Sequence, residues 1–449
     1  MASKGEKGNK TNIFKQDIPM IFKNLEVMSP QYVPDTLVAR DNVITEVRNA
    51  LSPILIGGYP RHLVFQGKSG TGKTVVINYV VNQLLEYLKE ENADDRKINS
   101  DILYVEINCE ERNTTIRVIY DIIQKIDDTI EIPVVGMATS WYFDRLWDVI
   151  NTHHVSLFII LDEIDKMDAN NLLYNLSRAQ NRKIDKGLFI GIVAITNNTR
   201  YLTEGRIDAR VLSSLNPLSI VFSPYDADML REILEQRAVD AFVPGVLDDL
   251  VIPLCAARGA NEHGDARLSL SLLETAGHVA IQHNVKKVLE EHVKEAEKKN
   301  EVNAMIDVLK KQPFQSKLLL LCVIYQWQLR EPEENYLRTG DVYEQYKLFS
   351  MELEKEVLGP TRISGLLSEL DYLNVIDAPV DSSGERGRTR KIMISIPVRE
   401  IIENIIIDDD LLRNIVEKVW GKTITDNPIK IPNLYYSSKK KRGKQTHIH

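Results

Sequence analysis

The sequence predicts an α/β chain in three parts: a parallel αβα nucleotide-binding domain, an all-helical domain, and a C-terminal winged-helix domain. Three observations carry this. Short apolar runs alternate with helical patterns as far as Pro224. From Asp226 to about Asn300 helical patterns follow one another without a strand. From about Glu301 helices lead into two strand patterns around a glycine-rich basic tip. A chain of 449 residues is too long for one core, and at ~150 residues per domain about three are expected.

In chain order, residues 1–17 read as a disordered basic-polar tail. The nucleotide-binding domain is expected over 18–225, the helical domain over 226–300, the winged helix over 301–420 and a basic tail over 421–449. A proline-punctuated lead-in, Ile21 to Arg40, precedes an amphipathic helix at 41 to about 56. Apolar runs at His62–Gln66, Ile102–Ile107, Leu157–Leu161, Leu188–Ile195 and Ser219–Phe222 predict strands. Their alternation with helices predicts right-handed βαβ units and a sheet covered on both faces. In the third domain helices are expected near 302–311, 314–329, 339–357 and 361–373, with another around 398–418.

Composition narrows the function. A net charge of −8 argues against a uniformly basic nucleic-acid coat and leaves room for local basic elements. No apolar run is long enough to span a bilayer, and MASKGEKGNKTN lacks the apolar stretch of a secretory signal, so a cytoplasmic location away from membranes is expected. Cys109, Cys255 and Cys322 lie far apart in apolar contexts, which predicts buried free thiols.

The most specific stretch is Gly67-Lys68-Ser69-Gly70-Thr71-Gly72-Lys73-Thr74, between an apolar strand and an apolar-periodic helix. That is the context in which G-x-x-x-x-G-K-[ST] binds a nucleotide. Backbone N–H groups turn inward around the phosphates, helped by the helix N-terminus. Lys73 would reach the β/γ-phosphates and Thr74 would ligate Mg²⁺. A second apolar run ends in Asp162-Glu163: Asp162 would hold Mg²⁺ largely through water, and Glu163 would polarise the attacking water. Asn197 ends a further strand at the same sheet edge, placed either to orient water or γ-phosphate or to cap the strand. Arg210 precedes the last strand and suits either a finger reaching a neighbouring subunit's nucleotide or an internal salt bridge. Arg267 opens a helix of the second domain and could close that domain over the phosphates.

Two regions are candidates for DNA. One lies between the second strand and Asp162 and contains Trp141-Tyr142-Phe143, which would equally suit a core. The other is the third domain. Its segment 361–370 has apolar residues at helical spacing, with Arg362 and Ser364 on the other face, which suits a major-groove helix. A glycine-flexed basic hairpin carries Arg386, Arg388, Arg390 and Lys391, which would track phosphate or enter the minor groove.

Together these motifs closely resemble AAA+ ATPases of the initiator clade, in particular the archaeal origin-recognition and helicase-loader initiators. The resemblance runs from about Ile21 to about Ser395 and rests on SPQYVP (29–34) with Arg40, the phosphate loop, LDEID (161–165), Arg210-Val211 with Ser213-Ser214-Leu215, and EHGDAR (262–267). It implies that these are the Walker A, Walker B, arginine-finger and sensor-2 elements, with Asn197 as sensor 1. It also implies nucleotide contacts for Tyr225 and Arg237, ATP/ADP with Mg²⁺ as cofactors, slow regulatory ATP hydrolysis, and a helical insertion near residues 132–143 that meets duplex DNA. Origin DNA, the replicative helicase and further copies assembled on DNA are the implied partners, and a nucleoid-associated location follows. A promoter-binding transcription regulator on the same scaffold would carry the same motifs, and an AAA+ machine acting on protein is a third reading. The sequence departs from the family pattern at Leu212, Asn198, Ser269, Ser271 and Asn374, the last where a glycine usually precedes the first wing strand.

Overall fold

The computed structural model describes residues 19–90, 101–133, 136–179, 183–330, 335–381, 389–394, 398–406 and 409–420. The chain divides into two compact units, residues 1–297 and 298–449.

The first unit is built on a parallel sheet of β1 (Leu63–Gln66), β2 (Asp101–Asn108), β3 (Val155–Asp162), β4 (Ile190–Thr196) and β5 (Leu218–Val221), in the order β2-β3-β4-β1-β5. Around it run α1 (Asp41–Leu51), α2 (Lys73–Glu90), α3 (Thr115–Ile126), α4 (Thr139–His153), α5 (Asn170–Ala179) and α6 (Ala209–Leu215). The central strands are apolar on both faces because helices cover both. Leu157, Ile159 and Leu161 pack into one core with α3 and α4, while Phe158 and Ile160 pack into the other with α1 and α2. Gly191 on β4 makes room for Phe158, whose ring would lie 2.7 Å from an added Cβ. The chain leaves β1 for the far edge at β2, whereas it leaves β4 for β5 on the opposite side of β1. That divergence opens a crevice beyond the carboxyl ends of β1 and β4, the position where open α/β sheets bind ligands.

Still in the first unit, α7 (Ala227–Ala241), α8 (Val251–Asn261) and α9 (Ala266–Gln282) form a helical layer, and α10 (Glu290–Lys310) begins in it. The lead-in belongs to this layer's core: Ile21, Val27 and Met28 are buried among Leu230, Leu234 and Leu273. Lys23 N–H donates to Ala241 O at 2.7 Å and Val243 N–H to Ile21 O at 3.0 Å.

The second unit contains α11 (Phe314–Leu329), β6 (Leu337–Arg338), α12 (Thr339–Glu352), α13 (Pro360–Tyr372), β7 (Ile376–Asp377), β8 (Val380–Asp381), β9 (Thr389–Ile394), α14 (Val398–Ile401) and α15 (Asp410–Trp420). β6, β7 and β8 each pair antiparallel with β9, giving helices plus a β-ribbon, as expected of a winged helix. Leu318 to Ile324 of α11 are all buried, so this helix is the centre of the core.

Two expectations change here. The helix expected to reach residue 357 stops at Glu352, because Glu354 turns left-handed (φ 53°) and Lys355 N–H closes back onto Ser350 O at 2.9 Å. The helix expected over 398–418 is broken into α14, a π turn at Ile402–Ile406, and α15. Asp409 caps α15, its Oδ1 accepting from Leu411 N–H at 3.1 Å. At the wing entrance, Asn374 adopts φ 57°, the conformation a glycine would supply, so the turn survives the substitution. All three cysteines are free and buried, as expected.

Candidate functional site

β1 ends at Gln66, and the phosphate loop then turns into α2 at Lys73. Gly70 (φ 71°) and Gly72 (φ 87°) take the left-handed conformation, and neither has space for a side chain. A Cβ on Gly70 would meet Asp265 Oδ1 at 1.8 Å, and one on Gly72 would meet the Tyr225 hydroxyl at 2.3 Å. The helical layer therefore rests directly on the loop. Ala266 N–H donates to Gly70 O at 3.1 Å, and Tyr225 N–H donates to Gly264 O at 3.3 Å.

The Lys73 ammonium sits at the centre, donating to Gly67 O (2.8 Å), Lys68 O (2.7 Å) and Asn197 Oδ1 (2.9 Å). Burial pulls its pKa down to about 8; the nearby Arg267 cation pulls the same way, and Asp162 opposes it. Two cations, Lys73 and Arg267, lining one cavity suit a polyphosphate. Thr74 Oγ1 donates to Asp162 Oδ2 at 2.9 Å. A hydroxyl and a carboxylate side by side fit Mg²⁺, which prefers oxygen and keeps places for water and phosphate. Glu163 has a left-handed backbone (φ 53°) and a buried Oε2 without a protein partner. Burial raises its pKa, and the neighbouring Glu110 carboxyl pushes the same way.

Asp162, Glu163 and Asn197 line one cavity of about 570 Å³, as do Ser69 to Thr74, Tyr225, Arg237 and Arg267, whereas Gly67 and Lys68 do not border it. Parallel pairing puts Asn108 level with Asp162 at the same sheet edge, so Asn108 joins the cavity wall. The rule that singled out Asn197, a polar residue ending a strand at this edge, would also have found Asn108. Glu110 gave no such signal, because only the fold brings it to Glu163.

Other expected residues stand differently. Arg237 borders the cavity, but its guanidinium donates to Val27 O (2.9 Å) and Tyr32 O (2.8 Å), so it holds the lead-in that forms that wall. Arg40 is buried with its guanidinium 3.8 Å from the Tyr225 ring centroid, and one nitrogen donates to both Thr71 O (2.9 Å) and Ser223 O (2.7 Å). The sequence marked Arg40 as a family residue without a job; it joins the phosphate loop to the start of the helical layer. Arg210 is 83% exposed, pairs with Asp208 at 2.8 Å and does not border the cavity. Asn198 receives the Arg200 N–H on its Oδ1 at 2.8 Å, the task an acid at that position would perform.

Of the two alternatives for the insertion aromatics, Tyr142 and Phe143 take the core. Tyr142 is 0% and Phe143 4% exposed; Tyr142 Oη donates to Pro133 O at 2.7 Å and Phe143 stacks on Trp147. Both belong to the sheet core, and the half-buried Trp141 packs against it.

In the second unit Arg362 is exposed on α13 and Ser364 is half-buried. Arg390 turns inward, donating to Ala378 O (2.9 Å) and Ser368 Oγ (2.6 Å), and so ties the ribbon to α13. The Lys391 ammonium lies 5.0 Å from the Tyr336 ring centroid. Arg386 and Arg388 fall outside the described residues. Among the described residues no helix is long and apolar enough to cross a membrane.

Three family models match the chain: an AAA domain over residues 56–196, the Cdc6 AAA+ ATPase-type lid domain over 231–298, and the CDC6 C-terminal winged helix domain over 307–404. The ORC1-type DNA replication protein of Thermococcus kodakarensis is 39% identical over 398 residues, 88% of this chain and 92% of the relative. That of Pyrococcus horikoshii is 41% identical over 381 residues, 84% of this chain and 88% of the relative. Among solved structures, the Aeropyrum pernix ORC1 protein in complex with DNA matches with a TM-score of 0.67 at 32% identity, covering 88% of this chain and 99% of that one. Cdc6p from Pyrobaculum aerophilum, at 22% identity and a TM-score of 0.53 over 89% of this chain and 99% of that one, shares the fold. With the phosphate loop, lid turn and winged helix all in place, the chain belongs to the ORC1-type DNA replication proteins, archaeal initiators built on an AAA+ ATPase.

Proposed function

We propose that this protein is an ATP-dependent switch on origin DNA, in which nucleotide state sets the angle between the sheet and the helical lid. The observation that carries this is the backbone bond from Ala266 to Gly70. The loop that takes the phosphates and the helix that bears Arg267 are joined through one carbonyl. A change in loop conformation on losing the γ-phosphate is therefore passed to the lid without intermediate side chains.

At the site, Lys73 and Arg267 neutralise phosphate charge while the loop N–H groups orient it. Thr74 and Asp162 would hold Mg²⁺, which when bound polarises the terminal phosphate and shields its charge. Glu163 would take up the proton of the attacking water, and Asn197 would orient that water from the neighbouring strand end. Arg210, exposed and away from its own cavity, would act on the nucleotide of a second copy once released from Asp208. Hydrolysis is then slow until copies assemble on DNA.

Duplex DNA would be gripped by the winged helix, with Arg362 and Ser364 on α13 at the major groove and Lys391 of β9, together with Arg386 and Arg388 of the preceding basic segment, at the backbone. The 32%-identical ORC1 protein solved in complex with DNA supports this reading. Support of helicase loading is the expected downstream role.

Mapping bound sites across the genome tests the proposal. Enrichment at replication starts supports it, and scattered promoter sites would favour a transcription regulator. Lys73→Ala should abolish ATP binding; retention of wild-type affinity would remove the site assignment.

A further inference from the structure

We propose that Asp165 is a positioning residue for ATP hydrolysis, tying the turn that carries Glu163 to the turn that carries Asn197. It rests on the nucleotide site proposed above.

Asp165 lies in a single 3-10 turn, Ile164–Lys166, immediately after Glu163. Its Oδ1 accepts a 2.5 Å hydrogen bond from the hydroxyl of Thr196, the last residue of β4. Thr196 is fully buried, and its hydroxyl in turn accepts from Asn198 N–H at 3.0 Å. Asn197 stands between these two anchored residues, which fixes the direction of its amide toward Lys73 Nζ at 2.9 Å. The backbone of Thr196 is held separately, by Gly67 N–H donating to its carbonyl at 3.3 Å. The hydroxyl is thus free to serve the turn alone.

The partner turn is equally constrained. Glu163 sits at φ 53° and Lys166 N–H closes the turn onto Glu163 O at 2.9 Å. β3 and β4 are neighbours in the sheet, but their pairing ends at Leu161 and Ala194. Beyond that register backbone pairing no longer holds the two strand ends together. The Asp165–Thr196 bond spans this gap. Its loss would let Asn197 and Glu163 move independently, which degrades alignment of the attacking water while leaving the phosphate loop intact.

The test is single-turnover ATP hydrolysis by the full chain with Mg²⁺ and excess duplex DNA, alongside ATP affinity measured separately. Asp165→Ala and the isosteric Thr196→Val should each lower the hydrolysis rate about 10- to 100-fold, with ATP affinity within about twofold of wild type. Thr196→Ser, which keeps the hydroxyl, should stay within about threefold of wild type. Combining Asp165→Ala with Asn197→Ala should slow hydrolysis by clearly less than the product of the two single effects, because both act in part through the same amide. Affinity loss in step with rate loss, multiplicative effects of Asp165→Ala and Asn197→Ala, or wild-type rates for both Asp165→Ala and Thr196→Val beside an impaired Asn197→Ala would overturn the inference. A wild-type rate for Asn197→Ala would instead remove the site reading beneath it. Thr196→Val keeps the test decisive should Asp165→Ala fold poorly.

Discussion

Ala266, at the start of a lid helix, donates its backbone N–H to the carbonyl of Gly70 in the phosphate loop at 3.1 Å. Neither partner is a side chain, so no substitution at Ala266 short of proline deletes the bond. The contact is instead sensitive to shape at the glycine.

Gly70→Ala is therefore expected to break the lid away from the loop. The added methyl would overlap the Asp265 carboxylate at 1.8 Å, on a backbone at φ 71° that alanine resists. ATP affinity should fall by at least about tenfold, the size of effect expected from ~1.4 kcal/mol of strain. Titration with a fluorescent ATP analogue measures it; unchanged affinity would show that the lid can give way.

Arg40→Leu should destabilise the first unit. It leaves Thr71 O and Ser223 O without their shared donor and removes the cation from the Tyr225 ring. Unpairing buried polar groups of this kind costs about 2–4 kcal/mol. Urea unfolding followed by far-UV circular dichroism reports it, and a loss below about 0.5 kcal/mol would contradict the bracing role.

Stability should also fall in mild acid because of His62. Its Nδ1 accepts Ile192 N–H at 3.2 Å and must be neutral to do so, and burial lowers its pKa from 6.5 to about 4. The unfolded chain then binds more protons between these values. The contribution is complete above pH 6.5, is lost as pH falls toward 4, and amounts to about 3 kcal/mol. In His62→Ala this part of the pH slope should vanish.

Two arginines of the winged helix should separate cleanly. Arg390→Met removes the tie between ribbon and α13, and should lower the stability of the second unit by about 1–3 kcal/mol. Arg362→Ala touches an exposed side chain and should leave stability within about 0.5 kcal/mol. It should nevertheless weaken DNA binding and reduce its salt slope by about one. Melting curves and salt-dependent binding measured on both variants check the pair; a reversed pattern would exchange their roles.

The fold class was legible because each layer writes its own periodicity. Strands buried on both faces read as unbroken apolar runs, and α11 reads as apolar all round. The phosphate loop, Asp162 and Asn197 were legible for a related reason: chemistry at the carboxyl edge of a parallel sheet must come directly after the strands. The insertion aromatics were not, since Trp-Tyr-Phe on a helix has the same pattern whether it faces a core or a ligand.

By itself the sequence determined the αβα, helical and winged-helix order, and which strand-end residues meet beside the phosphate loop. Tertiary structure alone decided which cations remain available. Arg40, Arg237 and Arg390 look like Arg210, Arg267 and Arg362 along the chain. Hydrogen-bond partners up to 210 residues distant, as for Arg237 and Val27, consume the first three. A guanidinium's donors are assigned by whichever carbonyls the fold brings within about 3 Å, and local sequence holds no record of that distance.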